Sequence, residues 1–215
     1  FIMKAQNLKF EGFYTHTGHS YKCRSKQEIE ALTEPILSSL ANLKSNFNDP
    51  ICFGDTPSCS VLNSFPSIDQ ISPGNFVFYD WTQFNIGSCS SNEIAVAMYC
   101  PVVAMYPERN EVLIHGGAVH FSKDFFIDKN GDPFYGVVVR SLEKGWGEPI
   151  LGNTLSSISQ EHGIVKRTPS FFKELKVGDI VTILPIHSCL TADIMGGYFT
   201  LEGQSIDHMN KKTFR

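Results

Sequence analysis

The order of predicted strands and helices changes partway along the chain. Up to about residue 85, an aromatic-rich strand over residues 8–16 precedes a helix, and short apolar strands are predicted at 50–54 and 75–79. Strand, helix and strand in that order are typical of a parallel α/β unit. After about residue 85 the pattern favours strands alone. They are predicted, between turn sequences, at 93–106, 110–121, 134–140 and 179–186. An α/β segment followed by an antiparallel sheet or barrel is therefore expected.

The predicted helix has a recognisable start. Ser25 and Glu28 match a capping box, and apolar residues follow at spacings of three and four. Pro35 falls inside this pattern and is expected to kink or break the helix. Small polar residues at 85–92 are typical of a domain junction. The expected domains are residues 1–88 and 89–215.

Composition excludes several classes of protein. The chain has 215 residues, of which 42% are hydrophobic, which is too apolar for a disordered chain. A net charge of -4, with no basic run longer than Lys211–Lys212, argues against a nucleic-acid partner. No apolar stretch approaches the roughly 18 residues of a membrane span. Six scattered cysteines favour a reduced, cytoplasmic protein. Because Phe1 stands just before a core strand, the chain is expected to be the C-terminal part of a longer protein.

His187 and Cys189 form the sharpest local signal. They follow an apolar strand at 180–184, and in an extended segment residues i and i+2 point to the same face. An imidazole nitrogen and a thiolate could then bind one zinc ion and leave positions open for water or substrate. A buried cysteine beside a hydrogen-bonded histidine is the alternative, and the pattern alone favours it.

Two loops could hold a phosphate group. Gly-Asp-Thr-Pro-Ser at 54–58 follows a short strand, and Ser-Pro-Gly-Asn stands at 72–75. Backbone N–H groups and hydroxyls in such loops can bind anions, and loops after parallel strands meet at one edge of a sheet. An ordinary turn is equally consistent with the first sequence, which lacks the lysine of a P-loop.

Histidines elsewhere give weaker signals. His16 and His19 lie with Tyr14 and Tyr21 at the end of the first strand, where a flat ligand could pack, although a loop with surface histidines explains them as well. No spacing rule connects the remaining histidines, which are interpreted as separate structural residues. They are His115, His120 and His162. The sequences typical of serine hydrolases, zinc proteases and structural zinc sites are absent.

Five stretches together resemble one enzyme family. They are GFYTHTGHSY (12–21), GDTPS (54–58), SPGNFVFYD (72–80), SQEHG (159–163) and LPIHSCLTADIM (184–195). Their order and spacing are similar to those of the D-threonine aldolase and D-serine dehydratase family, fold-type III pyridoxal-phosphate enzymes related to alanine racemase. The resemblance implies the C-terminal half of a (β/α)8 barrel followed by an antiparallel β-domain.

The resemblance also assigns site residues. His187 and Cys189 would bind zinc, and His16 would lie near the cofactor ring. The 5′-phosphate of pyridoxal phosphate would be surrounded by Gly54, Thr56, Ser58, Gly74 and Asn75. The family's Schiff-base lysine lies in a part that this chain lacks, so no catalytic residue is assigned here and the chain alone is expected to be inactive.

The implied function is a pyridoxal-phosphate- and zinc-dependent lyase acting on a small D-amino acid. Cys189 stands where the family's aldolases tend to carry aspartate, and a thiolate favours zinc, so D-serine dehydratase is preferred. A D-threonine aldolase or an alanine racemase of the same fold is the alternative, and a non-catalytic ligand-binding domain is a second. Ser72 replaces the arginine of many relatives. The family also implies a homodimer.

Overall fold

A computed structural model describes residues 2–166, 168, 170, 173 and 175–209. The chain divides into two compact units. The first runs to Val77 and includes Gln83–Cys89, and the second comprises Phe78–Thr82 and the chain from Ser90 onward. No helix among these described residues is both long enough and apolar enough to cross a membrane.

The first unit contains a small parallel sheet. Its strands are β1 (Phe13–His16), β2 (Ile51–Gly54) and β3 (Gln70–Ile71), in that spatial order, and each neighbouring pair is parallel. Its helices are α1 (Lys26–Phe47) and α2 (Thr56–Val61), with α3 (Trp81–Ile86) beginning in the other unit. The predicted parallel α/β segment is thus present as three strands. Closure of such a sheet into a (β/α)8 barrel stays a prediction.

Helix α1 begins as the sequence predicts. The Ser25 side chain accepts a hydrogen bond of 3.2 Å from the N–H of Glu28, which satisfies one of the free donors of the first turn. Asn48 ends the helix in the left-handed conformation at φ 53°. The helix continues through Pro35, so it does not break there, and the alternative, a kink at Pro35, stays a prediction. Ile29 is fully buried and forms a core cluster with Cys23 and Ile86.

In the first unit, two of the predicted strands differ from the observed structure. The strand predicted at 8–16 pairs only from Phe13 onward, because Gly12 has φ 138° and its Cα lies against the Pro50 carbonyl. The strand predicted at 75–79 is wrong: residues 75–77 form a 3₁₀ turn. The N–H of Asn75 donates to the Thr56 hydroxyl at 2.9 Å, which curls the chain away from the sheet. The third strand, β3, instead precedes Pro73.

The second unit is built on a closed antiparallel barrel. Its strands run in the spatial order β10-β5-β4-β11-β8-β9. Their bounds are β4 (Met98–Tyr106), β5 (Glu111–His115), β8 (Gly136–Leu142), β9 (Gly145–Ile158), β10 (His162–Lys166) and β11 (Ile180–Pro185). Two hairpins complete the unit, β6 (Phe126–Ile127) with β7 (Pro133–Phe134), and β12 (Gly197–Phe199) with β13 (Ser205–Asp207). The predicted antiparallel β-domain is confirmed as a six-stranded barrel.

Side chains from facing strands fill the barrel. Its fully buried residues include Ile114, Leu155, Val165 and Ile183. The sequence pattern does not reveal β9 and β10; in β9, register shifts interrupt the strict alternation on which strand prediction depends. The strand predicted at 110–121 ends at residue 115. A helical turn, α4 (Ala118–Phe121), follows two glycines there, and α5 (Ser188–Met195) follows β11.

Candidate functional site

The His-x-Cys segment lies at the end of a barrel strand, in the second unit. Strand β11 ends at Pro185, His187 is the N-cap of α5 with φ -135° and ψ 96°, and Cys189 lies in the first turn of that helix. The prediction that both residues belong to one extended segment is therefore wrong. The chain turns into a helix between them, so their side chains are placed by a helix start and not by strand alternation.

Two backbone contacts hold this segment on either side of His187. The carbonyl of Ile186 accepts hydrogen bonds from the N–H and the hydroxyl of Thr82, at 3.3 and 2.8 Å. The N–H of Ser188 donates to Asp80 Oδ2 at 3.1 Å, which satisfies a free donor at the start of α5. Asp80 is fully buried. Residues 78–82 thus fix the backbone from which both candidate ligands project.

His187 also has a side-chain partner. Its Nδ1 lies 2.7 Å from Oδ2 of Asp124, 63 residues earlier in the chain. A carboxylate can only accept, so Nδ1 carries the proton and Nε2 of the neutral ring keeps its lone pair. This is the form of histidine that binds a metal ion through Nε2.

Cys189 is half-buried and lies among polar groups. Burial raises the pKa of its thiol, and the negative charge of Asp80 raises it further. Tyr198 is close enough for Cys189 to affect it: burial, followed by the charges of Asp207 and Cys189, raises the pKa of the Tyr198 phenol. Tyr198 in turn forms a short hydrogen bond with Nδ1 of His208. The Cys189 thiol therefore becomes a thiolate most readily when a cation is bound to it.

These residues supply one nitrogen and one sulfur donor, a combination suited to zinc. Within the described residues, no three His, Cys, Asp or Glu side chains are grouped so that they could hold a metal ion. By donor type His187 and Cys189 suit a zinc ion, and their joint binding of one ion stays a prediction.

In the first unit, the residues predicted to surround the phosphate lie at the carboxyl ends of two neighbouring parallel strands, in the segments that follow β2 and β3. Gly54 ends β2, and a Cβ there would stand 2.7 Å from Tyr14 Oη and 2.9 Å from Ser72 Oγ, so these loops approach it closely. The hydrogen bond from the Asn75 N–H to Thr56 Oγ1 joins the two loops. A Cβ on Gly74 would meet nothing within 4 Å. The loops therefore meet at the carboxyl edge of the sheet, with open space beside Gly74.

The polar side chains of this region are bonded to one another. Asp55, which is almost fully buried, accepts a hydrogen bond of 2.7 Å from the N–H of Ser58 and caps α2, and the Ser20 hydroxyl donates to the same oxygen at 3.0 Å. The Ser58 hydroxyl lies 3.0 Å from that of Thr33. The buried hydroxyls thus hold the loops in shape, and a phosphate would be met by backbone N–H groups. The individual phosphate contacts stay predictions.

His16 is exposed at the end of β1, in the same unit. Its ring lies 6.2 Å from that of Tyr21, so part of the predicted His and Tyr cluster is formed. An exposed ring at the carboxyl end of a parallel strand is consistent with the predicted place beside a cofactor ring.

The three histidines interpreted as separate are neighbours. His115 and His162 are paired residues of β5 and β10, with ring centroids 5.7 Å apart, and the His120 ring lies 4.9 Å from that of His115. The N–H of Gly117 donates to His120 Nδ1 at 3.1 Å. Burial, followed by the charge of His115, lowers the pKa of His120. Strand pairing and a helical turn bring these residues together, and no local spacing rule predicts that.

Sequence reasoning missed the residues that hold His187 and its neighbours in place. Asp80 stands in the SPGNFVFYD stretch, yet nothing in the sequence connects it with Ser188. Asp124 follows α4 without any pattern that links it to His187. Both contacts depend on chain segments far apart in sequence.

Comparisons with known proteins show that this chain is similar to dehydratases. Residues 95–201, which include His187 and Cys189, match the model of the putative serine dehydratase domain. The D-serine dehydratase of Dictyostelium discoideum is 31% identical over 93% of this chain and 53% of its own length. The D-threo-3-hydroxyaspartate dehydratase of Delftia sp. is 24% identical, over 90% of this chain and 53% of its own length. This chain therefore spans about half the length of the curated relatives that it matches.

This chain is also similar to a solved structure. An alanine-racemase-like protein from Idiomarina loihiensis superposes with a TM-score of 0.80 at 26% identity, covering 92% of this chain and 54% of the other. The resemblance to the D-threonine aldolase and D-serine dehydratase family of alanine-racemase-like enzymes is thus confirmed, with residues 95–201 similar to the putative serine dehydratase domain.

Proposed function

We propose that the protein containing this chain is a D-amino-acid dehydratase that uses pyridoxal phosphate and zinc, with D-serine as its main substrate. The observation that carries the proposal is the donor pair His187 and Cys189, which lies inside the segment that matches the dehydratase domain. Two curated relatives are named as dehydratases of D-amino acids, and both match nearly all of this chain.

The donor types support zinc. A thiolate is a soft ligand and selects zinc over magnesium or manganese, which prefer oxygen ligands. His187 Nε2 is available because Asp124 occupies Nδ1. With two ligands from this chain, a metal ion would keep positions for a substrate hydroxyl. This arrangement suits elimination of a β-hydroxyl group from a small amino acid.

The loops of the first unit support a phosphate-bearing cofactor. Gly54, Thr56, Ser58, Gly74 and Asn75 would surround its phosphate, and exposed His16 would lie beside its ring. When bound, pyridoxal phosphate supplies an electron sink and zinc supplies a Lewis acid for the β-hydroxyl. The residues of this chain bind and orient: Gly54 admits close approach of the loops, and the bond from Asn75 to Thr56 holds them together.

The test uses the full-length protein. It should release pyruvate and ammonia from D-serine, and removal of the metal by a chelator should abolish that release. Cys189→Ala should lose both zinc and activity, whereas Cys59→Ala, which removes another half-buried thiol, should retain its zinc. Zinc content unchanged in Cys189→Ala would refute the ligand assignment.

The same assay separates the alternatives. Glycine and acetaldehyde formed from D-threonine faster than pyruvate from D-serine would identify an aldolase. Interconversion of alanine enantiomers without need of metal would identify a racemase. A protein that turns over none of these substrates would be a non-catalytic binding protein. The homodimer implied by the resemblance and the cytoplasmic location inferred from the cysteines stay predictions.

A further inference from the structure

The contact between Asp124 and His187 has a role that protein stability does not explain. The Asp124 side chain is 51% exposed and that of His187 is 37% exposed. Ion pairs at such exposure contribute little to folding because water competes for both partners. Yet the N···O distance is 2.7 Å, and the N–H of Asp124 donates to the Ser122 hydroxyl, which restrains the loop that carries the carboxylate.

The backbone on either side of His187 is held by hydrogen bonds, whereas the orientation of its ring is not set by them. Thr82 and Asp80 hold the backbone immediately before and after it. The imidazole can still rotate about its side-chain bonds and can carry its proton on either nitrogen. A single acceptor on Nδ1 removes both freedoms, because it selects one ring orientation and one tautomer.

We propose that Asp124 is a positioning residue that holds His187 with its proton on Nδ1 and its Nε2 lone pair presented to a divalent metal ion shared with Cys189. The proposal rests on the metal site of the proposed function. The proposal gives Asp124 no role as a ligand, because its Oδ2 contacts the ring that it orients. It acts on metal affinity through the histidine.

The experiment compares zinc affinity in the full-length protein and its variants. Competition against a chromophoric chelator should show that Asp124→Ala binds zinc about 10–100-fold more weakly than wild type, the range found when such supporting partners are removed. Asp124→Asn keeps an oxygen acceptor and should give a smaller loss. Asp132→Ala removes an exposed carboxylate from the β6–β7 hairpin and should leave zinc affinity unchanged.

A second measurement reads the tautomer directly. In metal-free protein labelled with ¹⁵N at histidine, the His187 ring, identified by its absence in His187→Gln, should carry its proton on Nδ1. In Asp124→Ala it should shift toward the Nε2–H form, with the unfolding temperature within about 2 °C of wild type. A contact that serves only folding would lower the unfolding temperature of Asp124→Ala by more than this and leave its zinc affinity as in wild type.

The two proposals fail differently. If wild-type protein binds no zinc, the proposed metal site is wrong and the role of Asp124 falls with it. If wild type and Asp124→Ala bind zinc within twofold of each other and show the same tautomer, the metal site stands and the positioning role is refuted.

Discussion

A single methyl group added at Gly163 should destabilise the barrel. Gly163 lies in β10, opposite Ile114 of β5. A Cβ on it would stand 2.5 Å from the Gly116 carbonyl oxygen and 2.5 Å from a methyl group of Leu155, where ordinary contacts begin at 3.4 Å. The methyl group therefore has to displace its neighbours by about 1 Å, and one of them is backbone.

The cost follows from this overlap. Overpacking of a well-packed core costs typically about 1–3 kcal/mol. Alanine also restricts the unfolded chain relative to glycine, which offsets about 0.4–1 kcal/mol. Since 1 kcal/mol corresponds to about 2–4 °C in a chain of this length, Gly163→Ala should lower the unfolding temperature by several degrees.

Gly147→Ala is the matched control. Gly147 lies in β9 of the same barrel, and its Cβ would meet its nearest neighbour, a Leu142 methyl group, at an ordinary 3.7 Å. It should be neutral or slightly stabilising. Trp81 and Trp146 both lie in the second unit, so urea unfolding followed by their fluorescence reports on the barrel. Equal urea midpoints for the two variants would refute the predicted overlap.

Three further predictions concern single groups. Burial holds the pKa of His120 below 6.5 in the folded protein. The contribution of neutral His120 to stability is therefore complete above about pH 6.5 and is lost as the pH falls toward the folded-state pKa. His120→Gln should accordingly flatten the decline of the urea midpoint between pH 7.5 and 5. Burial raises the pKa of Cys59 to about 11 and that of Cys100 to about 12, so mass mapping after alkylation at pH 8 should find both unmodified in folded protein and modified in urea. Thr56→Val removes the acceptor of the Asn75 N–H and should lower the free energy of unfolding in urea by about 1–3 kcal/mol. Thr56→Ser keeps the hydroxyl and should retain most of that stability. Equal losses in the two variants would contradict the role of the hydroxyl.

Local signals predicted much of the fold. The start of α1 at Ser25 follows from a side-chain cap, and β2 follows from a short apolar run, because both depend on neighbouring residues. The strand at 75–79 was predicted wrongly from the same kind of run. There, a hydroxyl on another loop takes the N–H of Asn75, and Phe76 and Val77 are left exposed. A pattern of apolar residues cannot report that competition.

For the candidate metal residues, too, local sequence predicts one part and long-range contacts determine the other. His187 and Cys189 can be selected from the sequence because their residue types suit zinc. Their geometry cannot be predicted from the sequence, since Asp80 accepts the N–H of Ser188, 108 residues away, at the helix start between them. The histidine cluster depends likewise on the pairing of β5 with β10. Sequence therefore identifies donors, and long-range contacts decide where they point.

Aspartates add negative charge to both candidate regions. A helix start is a favourable place for an anion, because its N–H groups are free and its dipole is positive there. In this protein Asp55 already caps α2, and Asp80 already accepts the N–H of Ser188 at the start of α5. One N–H at each of these helix starts is thus already bonded to a carboxylate. Around His187 and Cys189, Asp80 and Asp124 add two carboxylates. A divalent cation is the ligand that this negative charge favours.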